Sequence, residues 1–218
     1  MKIATWNLER PSKTSTRIPA IVTALKEINP DILILTETNE VIDLGSDYVC
    51  YHTSQPDETY YKPGERRTGI YSKYKAIEHI QTFKADTSIC VKFQTPVGYL
   101  VVYGTIIGIN GNRRKDFISD LDFQISDFQQ IAQTSALCIG GDLNISFGDN
   151  YYFTKDGRQK LNNTFENLAL TNLTASIPQN IDQLILSMSY LDEQDVQIQT
   201  WNTDKKLSDH IGVCIEIG

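Results

Sequence analysis

The chain has 218 residues, with 20 Lys and Arg against 27 Asp and Glu and a formal net charge of −7. That balance argues against tight, nonspecific binding to long nucleic acids, which usually needs a basic surface. Two-sheet and α/β architectures reach roughly 200–250 residues as single units, so one domain over residues 1–218 is expected. No segment approaches the ~18 apolar residues of a membrane span and the N-terminus has no signal-length apolar run, so a cytoplasmic chain with no membrane partner is expected.

"KIAT" reads as a short strand, and Ile18, Ile21, Val22, Leu25 and Ile28 then recur at helical spacing until Asn29 and Pro30 stop the helix. "DILILT" follows as a continuous apolar strand, of the kind buried on both faces, that delivers Glu37 at its end. "YKPGERR" reads as an exposed loop, and "TGIYSKY" and "SICVKFQT" as strands. The first order then recurs. "YLVVYGTII" is a strand, Phe117, Leu121, Ile125, Phe128 and Ile131 form one helical stripe, and "ALCIG" is a second buried strand delivering Asp142. A helix around Phe165 to Leu170 and strands at "IDQLILS", "VQIQTW" and "IGVCIEI" complete the chain. Two strand-helix-strand units, each ending in a carboxylate, imply a two-fold repeated α/β architecture with helices covering sheets. Cys50, Cys90, Cys138 and Cys214 are widely spaced, form no CxxC and are expected as free thiols, three of them in apolar strand-like runs.

Polar residues stand at the ends of these strands: Asn7, Glu37, Asp142 and Asn144, Asp182, then Asp209 with His210. Each alone also fits a cap, a turn or a solvated strand end. Asp142 and Asn144 are two apart, so a strand's period of two points both to one face.

In order and with their neighbours, the blocks "ATWNLE", "DILILTE", "RRTGIYSK", "CIGGDLN", "IDQLILS" and "SDHIGV" resemble the endonuclease/exonuclease/phosphatase superfamily from residue 4 to 213. The resemblance implies a four-layer α/β/β/α sandwich with the active site where the loops of the two sheets meet. It also implies a phosphoesterase that uses Mg²⁺ or Mn²⁺. Hydrolysis of phosphate esters is among the slowest uncatalysed reactions, so charge on the phosphoryl oxygens must be stabilised, a water activated and the leaving oxygen helped. A hard divalent cation held by one or two carboxylates suits that task. By resemblance Glu37 is the first metal ligand, with Asn7 and Asp209 near the same ion. Asp142 orients and deprotonates the attacking water, Asn144 donates to a phosphate oxygen, and His210, held by Asp182, donates to another.

The chain departs from the family in the strand "VVYGTIIGING". Thr105, Ile106 and Ile107 stand where deoxyribonuclease-like branches carry a second histidine and abasic endonucleases a tyrosine, so the leaving-group acid is unassigned. His52 and His79 read as surface or structural, and Glu9 as equally a surface residue or a neighbour of the metal. Asn110 falls close to where some branches use an asparagine for phosphate. Arg66 and Arg67, and Arg113, Arg114 and Lys115, are compact basic clusters that fit either solvated surface or contacts to further phosphates. The expected substrate is a phosphate ester, first a phosphodiester of nucleic acid or a nucleotide. A small phosphorylated metabolite is the alternative, and a catalytically silent module of the same fold is the rival outside enzymology.

Overall fold

The computed structural model describes residues 1–56, 60–192 and 194–218. The first unit is strand β1 (Lys2–Asn7), helix α1 (Ile18–Ile28) and strand β2 (Ile32–Asn39). Asn29 closes α1 in the left-handed conformation and donates its N–H to the Leu25 carbonyl, a common helix stop reinforced by Pro30. Strands β3 (Val49–His52), β4 (Glu65–Ser72), β5 (Ala76–Ile80) and β6 (Ser88–Thr95) lead to the second unit, formed by β7 (Gly98–Ile106), α2 (Phe117–Ala132) and β8 (Leu137–Asp142). Helix α3 (Lys155–Asn167), β9 (Leu170–Asn172), β10 (Asp182–Ser187), the single turn α4 (Met188–Leu191), β11 (Val196–Trp201) and β12 (Gly212–Ile217) follow.

The strands form two six-stranded sheets, ordered β11-β12-β1-β2-β4-β3 and β5-β6-β7-β8-β10-β9. In each, the two strands of the strand-helix-strand unit pair in parallel and every other pairing is antiparallel. The two sheets therefore share one topology, position by position. The parallel pairing is what requires α1 and α2 as crossovers, and it makes the ends of β2 and β8, which carry Glu37 and Asp142, equivalent sites of the repeat.

Alternation along the strands sorts the apolar residues into three interfaces. Ile3, Ile32, Ile34 and Ile70 of one sheet meet Val91, Val102, Cys138 and Leu184 of the other. Their neighbours Ala4, Leu33, Leu35 and Tyr71 face outward onto Ile21, Leu25 and Ile28 of α1. On the far side Val101, Tyr103, Leu137 and Ile139 pack under Leu121, Phe128, Leu161 and Phe165 of α2 and α3. Helix, sheet, sheet and helix are thus stacked in the four layers expected. Gly104 and Gly140, paired in register, let the sheets close up, because a Cβ on Gly140 would lie 2.3 Å from Ile34 Cδ1.

Two local expectations are corrected. Glu65, Arg66 and Arg67 are not an exposed loop but the first residues of β4, paired with the end of β2. The buried Glu65 carboxylate accepts Arg10 Nη2 at 3.0 Å, which ties down a segment that reads as loop by composition. The third helix lies earlier than Phe165 to Leu170. Thr154 caps it by accepting from Gly157 N, and Leu170 already belongs to β9. Among its residues only Gly157, Leu161, Thr164 and Phe165 are buried, too few to show a helical stripe. As expected, the cysteines are free, with Cys90, Cys138 and Cys214 buried.

Candidate active site

The inner face of the sandwich decides which side chains meet. Ile3, Thr5 and Asn7 share one side of β1, and Cys138, Gly140 and Asp142 share one side of β8. β1 lies across from β8 and β10, so Asn7 reaches the second sheet, and its Nδ2 donates to Asp142 Oδ2 at 3.1 Å. Asp182, the first residue of β10, stands opposite Asp142 in the antiparallel register. Gly141 completes the strand end. Its φ of 128° and a position where a Cβ would lie 2.0 Å from the Thr105 carbonyl oxygen both require glycine.

Glu37 breaks its strand's alternation. Ile32 and Ile34 point inward, so residue 37 would face α1, but Glu37 adopts φ 46° and its carboxylate turns to meet Asn7 Nδ2 at 3.3 Å. A positive φ in a non-glycine strand residue is strained. The two acceptors fix the orientation of the Asn7 amide. Its nitrogen bridges Glu37 and Asp142 across the two sheets, and its oxygen accepts from Glu9 N at 2.8 Å.

His210 is set by the turn that precedes β12. Ser208 Oγ donates to the Asn7 carbonyl at 2.7 Å and accepts from His210 N at 3.2 Å. Trp6 Nε1 and Asn202 Nδ2 both donate to the His210 carbonyl, at 3.0 and 2.6 Å. With the backbone pinned on β1, the ring places Nδ1 2.5 Å from Asp182 Oδ2, and Nε2 lies 3.6 Å from the exposed Asp209 carboxylate.

Electrostatics follow from this packing. Burial opposes a charge on His210, but Asp182, by charge and hydrogen bond, followed by Asp142 and Asp209, outweighs it and pushes the imidazole up to about 10. Burial likewise raises Asp142, to about 7; the nearby His210 charge opposes the rise and the Asp182 charge adds to it. Glu37 is raised as well, by burial, against the hydrogen bond from Asn7. The site therefore holds one cationic imidazole among several carboxylates, two of them poorly solvated.

Other expected residues divide clearly. Asn144 reaches the site, but its amide donates to the Ile107 and Gly108 carbonyls at 3.0 and 3.3 Å rather than standing free for a phosphate, while its backbone N–H holds Asp142 Oδ1 at 2.8 Å. Arg66 is paired to Glu40, and Arg67 to Asp86 and to the Tyr61 hydroxyl, so these arginines tie loops to β4. Arg113, Arg114 and Lys115 are exposed, and Asn110 donates to Asp116 beside them. Glu9 pairs with Arg17 at 2.8 Å. His52 bonds the Tyr71 hydroxyl and His79 packs on Tyr51. Ile106 and Ile107 are buried in the core.

Residues that sequence reasoning passed over complete the site. Asn112, buried, donates to the Asn144 carbonyl at 2.7 Å and fastens the basic loop to the site. Beside His210 and Asn144 opens a cleft of about 230 Å³, lined further by Tyr151, Tyr152, Gln179 and Lys205. Ser208 could have been found from its place in "SDH", whereas the cleft is built from loops far apart in the chain. Among the described residues no group of three or more His, Cys, Asp or Glu is arranged to hold a metal, and no helix is long and apolar enough to cross a membrane.

The structure is thus a two-sheet sandwich with an Asp–His pair and two further carboxylates at one end of the sheets. The chain matches the endonuclease/exonuclease/phosphatase family over residues 4–210 and belongs to it. No curated protein matches it in sequence. Among solved structures it is similar to an AP endonuclease from Archaeoglobus fulgidus (TM-score 0.72, 16% identity, 100% of this chain and 99% of that one). It is also similar to a truncated Caenorhabditis elegans TDP2 (0.71, 17%, 99% and 96%) and to the 3′ phosphatase NExo from Neisseria bound to product DNA hairpin (0.69, 15%, 100% and 99%). At such identities the likeness is one of fold.

Proposed function

We propose that the protein is a divalent-metal-dependent phosphoesterase that hydrolyses phosphodiester bonds of nucleotides or nucleic acid. The observation that carries this reading is the Asn7 amide, which joins Glu37 of one sheet to Asp142 of the other, 2.5 Å-paired His210 and Asp182 standing alongside. Asp142 is anionic above about pH 7 and sits close to the proton affinity that serves a general base at neutral pH. It orients a water and accepts its proton as the oxygen attacks phosphorus in line. His210, cationic below about pH 10 and locked through Nδ1, offers Nε2–H to a non-bridging phosphoryl oxygen. Asn144 acts here as a positioning residue, since its backbone N–H holds Asp142 and its amide holds the Gly108 turn.

The donor set suits Mg²⁺ or Mn²⁺. Glu37 and Asp209 offer hard oxygen ligands, and burial, which raises the proton affinity of Glu37, leaves a carboxylate that a cation beside it would stabilise. Glu37 would hold the ion, with Asp209 near it; Asn7, whose amide nitrogen faces Glu37, would orient that carboxylate. When bound, the cation supplies the positive charge that the phosphoryl and leaving oxygens need in the transition state. Ile106 and Ile107 offer no proton to the leaving oxygen from the second strand unit.

A cleft of about 230 Å³ and a net charge of −7 favour short or single esters over long duplexes. Turnover of diesters, monoesters and single- and double-stranded DNA and RNA, with Mg²⁺ or Mn²⁺ and an Asp142→Asn control, tests the reading. Hydrolysis by the wild type alone is the expected result. No hydrolysis of any ester would leave the silent-module reading in its place.

A further inference from the structure

Resting on the phosphoesterase reading, we propose that the cleft beside His210 is a nucleoside subsite, in which one base stacks on Tyr151 while its phosphate lies at His210. Three loops from both sheets converge there. Tyr151 and Tyr152 come from the β8–α3 loop, Gln179 from the β9–β10 loop and Lys205 from the β11–β12 turn.

Tyr151 is 51% exposed, with no share in the core, yet its backbone is held on both sides. Asp149 accepts the N–H groups of Tyr151 at 3.0 Å and of Gln179 at 2.7 Å, tying two of the loops together. Ser146 N donates to the Tyr152 carbonyl at 2.7 Å, Ser146 Oγ accepts from Tyr152 N at 3.2 Å, and Arg158 donates to the Asp149 carbonyl. Gln179 and Lys205 both hold left-handed backbone, with φ of 53° and 54°. An exposed aromatic ring on a fixed backbone has little conformational freedom left to lose on binding, which favours recognition.

The chemistry of the walls selects the ligand. Lys205 Nζ lies over the Tyr151 ring, 5.3 Å from its centroid, and the half-exposed ring keeps open surface on which a flat partner can stack. The Gln179 side-chain amide has no partner among the described residues and can read the polar edge of that partner. The Tyr152 hydroxyl lies against Gly111, where a Cβ would be 2.8 Å from it, so the cleft ends at the loop that carries Arg113 and Arg114. A flat, polar-edged group attached to a phosphate is a nucleotide, and the volume admits one nucleoside rather than a stretch of duplex.

Calorimetry in EDTA, with adenosine 5′-monophosphate, ribose 5-phosphate and phenyl phosphate as probes, tests this without turnover. The nucleotide should bind at least about 5-fold more tightly than ribose 5-phosphate, the lower end of what an aromatic–base stack supplies. Tyr151→Ala should bring that ratio close to one, and Tyr151→Phe should keep it. Equal affinities in the wild type, or a ratio that survives Tyr151→Ala, would overturn the subsite. Phenyl phosphate binding as tightly as the nucleotide would overturn the nucleoside assignment in favour of aromatic rings in general. If the base preference holds and depends on Tyr151 while no ester is hydrolysed with Mn²⁺, the subsite stands and the phosphoesterase reading falls. Hydrolysis without base preference gives the reverse.

Discussion

Asp142 and Asp182 stand directly opposite each other across β8 and β10, two carboxylates on one face with different partners. Asp182 is committed to His210 at 2.5 Å, and Asp142 to the Asn7 amide at 3.1 Å. Like charges side by side disfavour a second ionisation, so the Asp182 charge adds to burial in raising Asp142. One carboxylate is paired with the imidazole, and the other is pushed up to about 7.

Asp142→Asn keeps an oxygen for the Asn144 N–H but turns an amide nitrogen toward the Asn7 Nδ2 donor, while it also removes a poorly solvated charge, so the variant should fold with a Tm lowered by a few degrees. Turnover should fall by about 10²–10⁴, the usual cost of losing a general base. Parallel thermal melts and initial rates check both. A folded variant at near wild-type rate would assign water activation to another group.

The His210–Asp182 pair makes stability depend on pH. Folding raises His210 from an ordinary 6.5 to about 10. Between those values the folded chain keeps a proton that the unfolded chain releases, so this contribution is complete below about pH 6.5 and is lost as pH rises toward 10. The slope for one proton is at most about 1.4 kcal/mol per pH unit. Denaturant melts across pH 6 to 10 should show the decline, and Asp182→Asn should flatten it; an unchanged slope would disconnect the pair from stability. The variant should also move the limb of the rate profile that reports His210.

Much of this site was legible because strand periodicity and strand ends carry it. Glu37 and Asp142 sit where continuous apolar runs stop and Asp182 where one begins, and the alternation that buries Ile32, Ile34, Cys138 and Leu184 between the sheets can be counted on the page. Backbone exceptions are different. The φ of 46° that turns Glu37 inward is a product of packing, and nothing in "LTETN" announces it. Short edge strands such as β3 and β9 bury little and leave a faint pattern, and α3 is too polar to display a stripe. Ser208 and Asn202, from the loop before β12, and Trp6, from β1, cooperate on His210, and the contact with Trp6 is one that only the folded chain assembles.

Glu37→Gln replaces a buried carboxylate with a neutral amide, so affinity for a hard cation should fall. Calorimetry with Mn²⁺ should show wild-type binding weakened at least about 10-fold in the variant, and activity should need correspondingly more metal. The Asn7 hydrogen bond can be kept through the Gln oxygen, so the melt should change little. Metal dependence identical to wild type would remove Glu37 from the site.

The two arginine clusters should respond oppositely, because among the described residues only one has its charge tied up in ion pairs. Arg66 and Arg67 are bound to Glu40 and Asp86, and the Arg67 side chain is 9% exposed. Removing a charge-assisted hydrogen bond there costs about 1.5–3 kcal/mol, so Arg67→Ala should lower stability and leave the salt dependence of substrate binding nearly as it was. Arg113 and Arg114 are exposed on the loop that Asn112 fastens to Asn144, where a strand running out of the cleft would pass. If they meet phosphates, Arg113→Ala with Arg114→Ala should flatten the slope of log affinity against log salt by about 0.7–0.9 per lost contact, with no loss of stability. A 20-mer single strand and a dinucleotide, titrated across a salt series, separate the cases. The acidic chain should prefer the long strand only modestly, and a steep, salt-sensitive preference for a long duplex would overturn the small-ester reading.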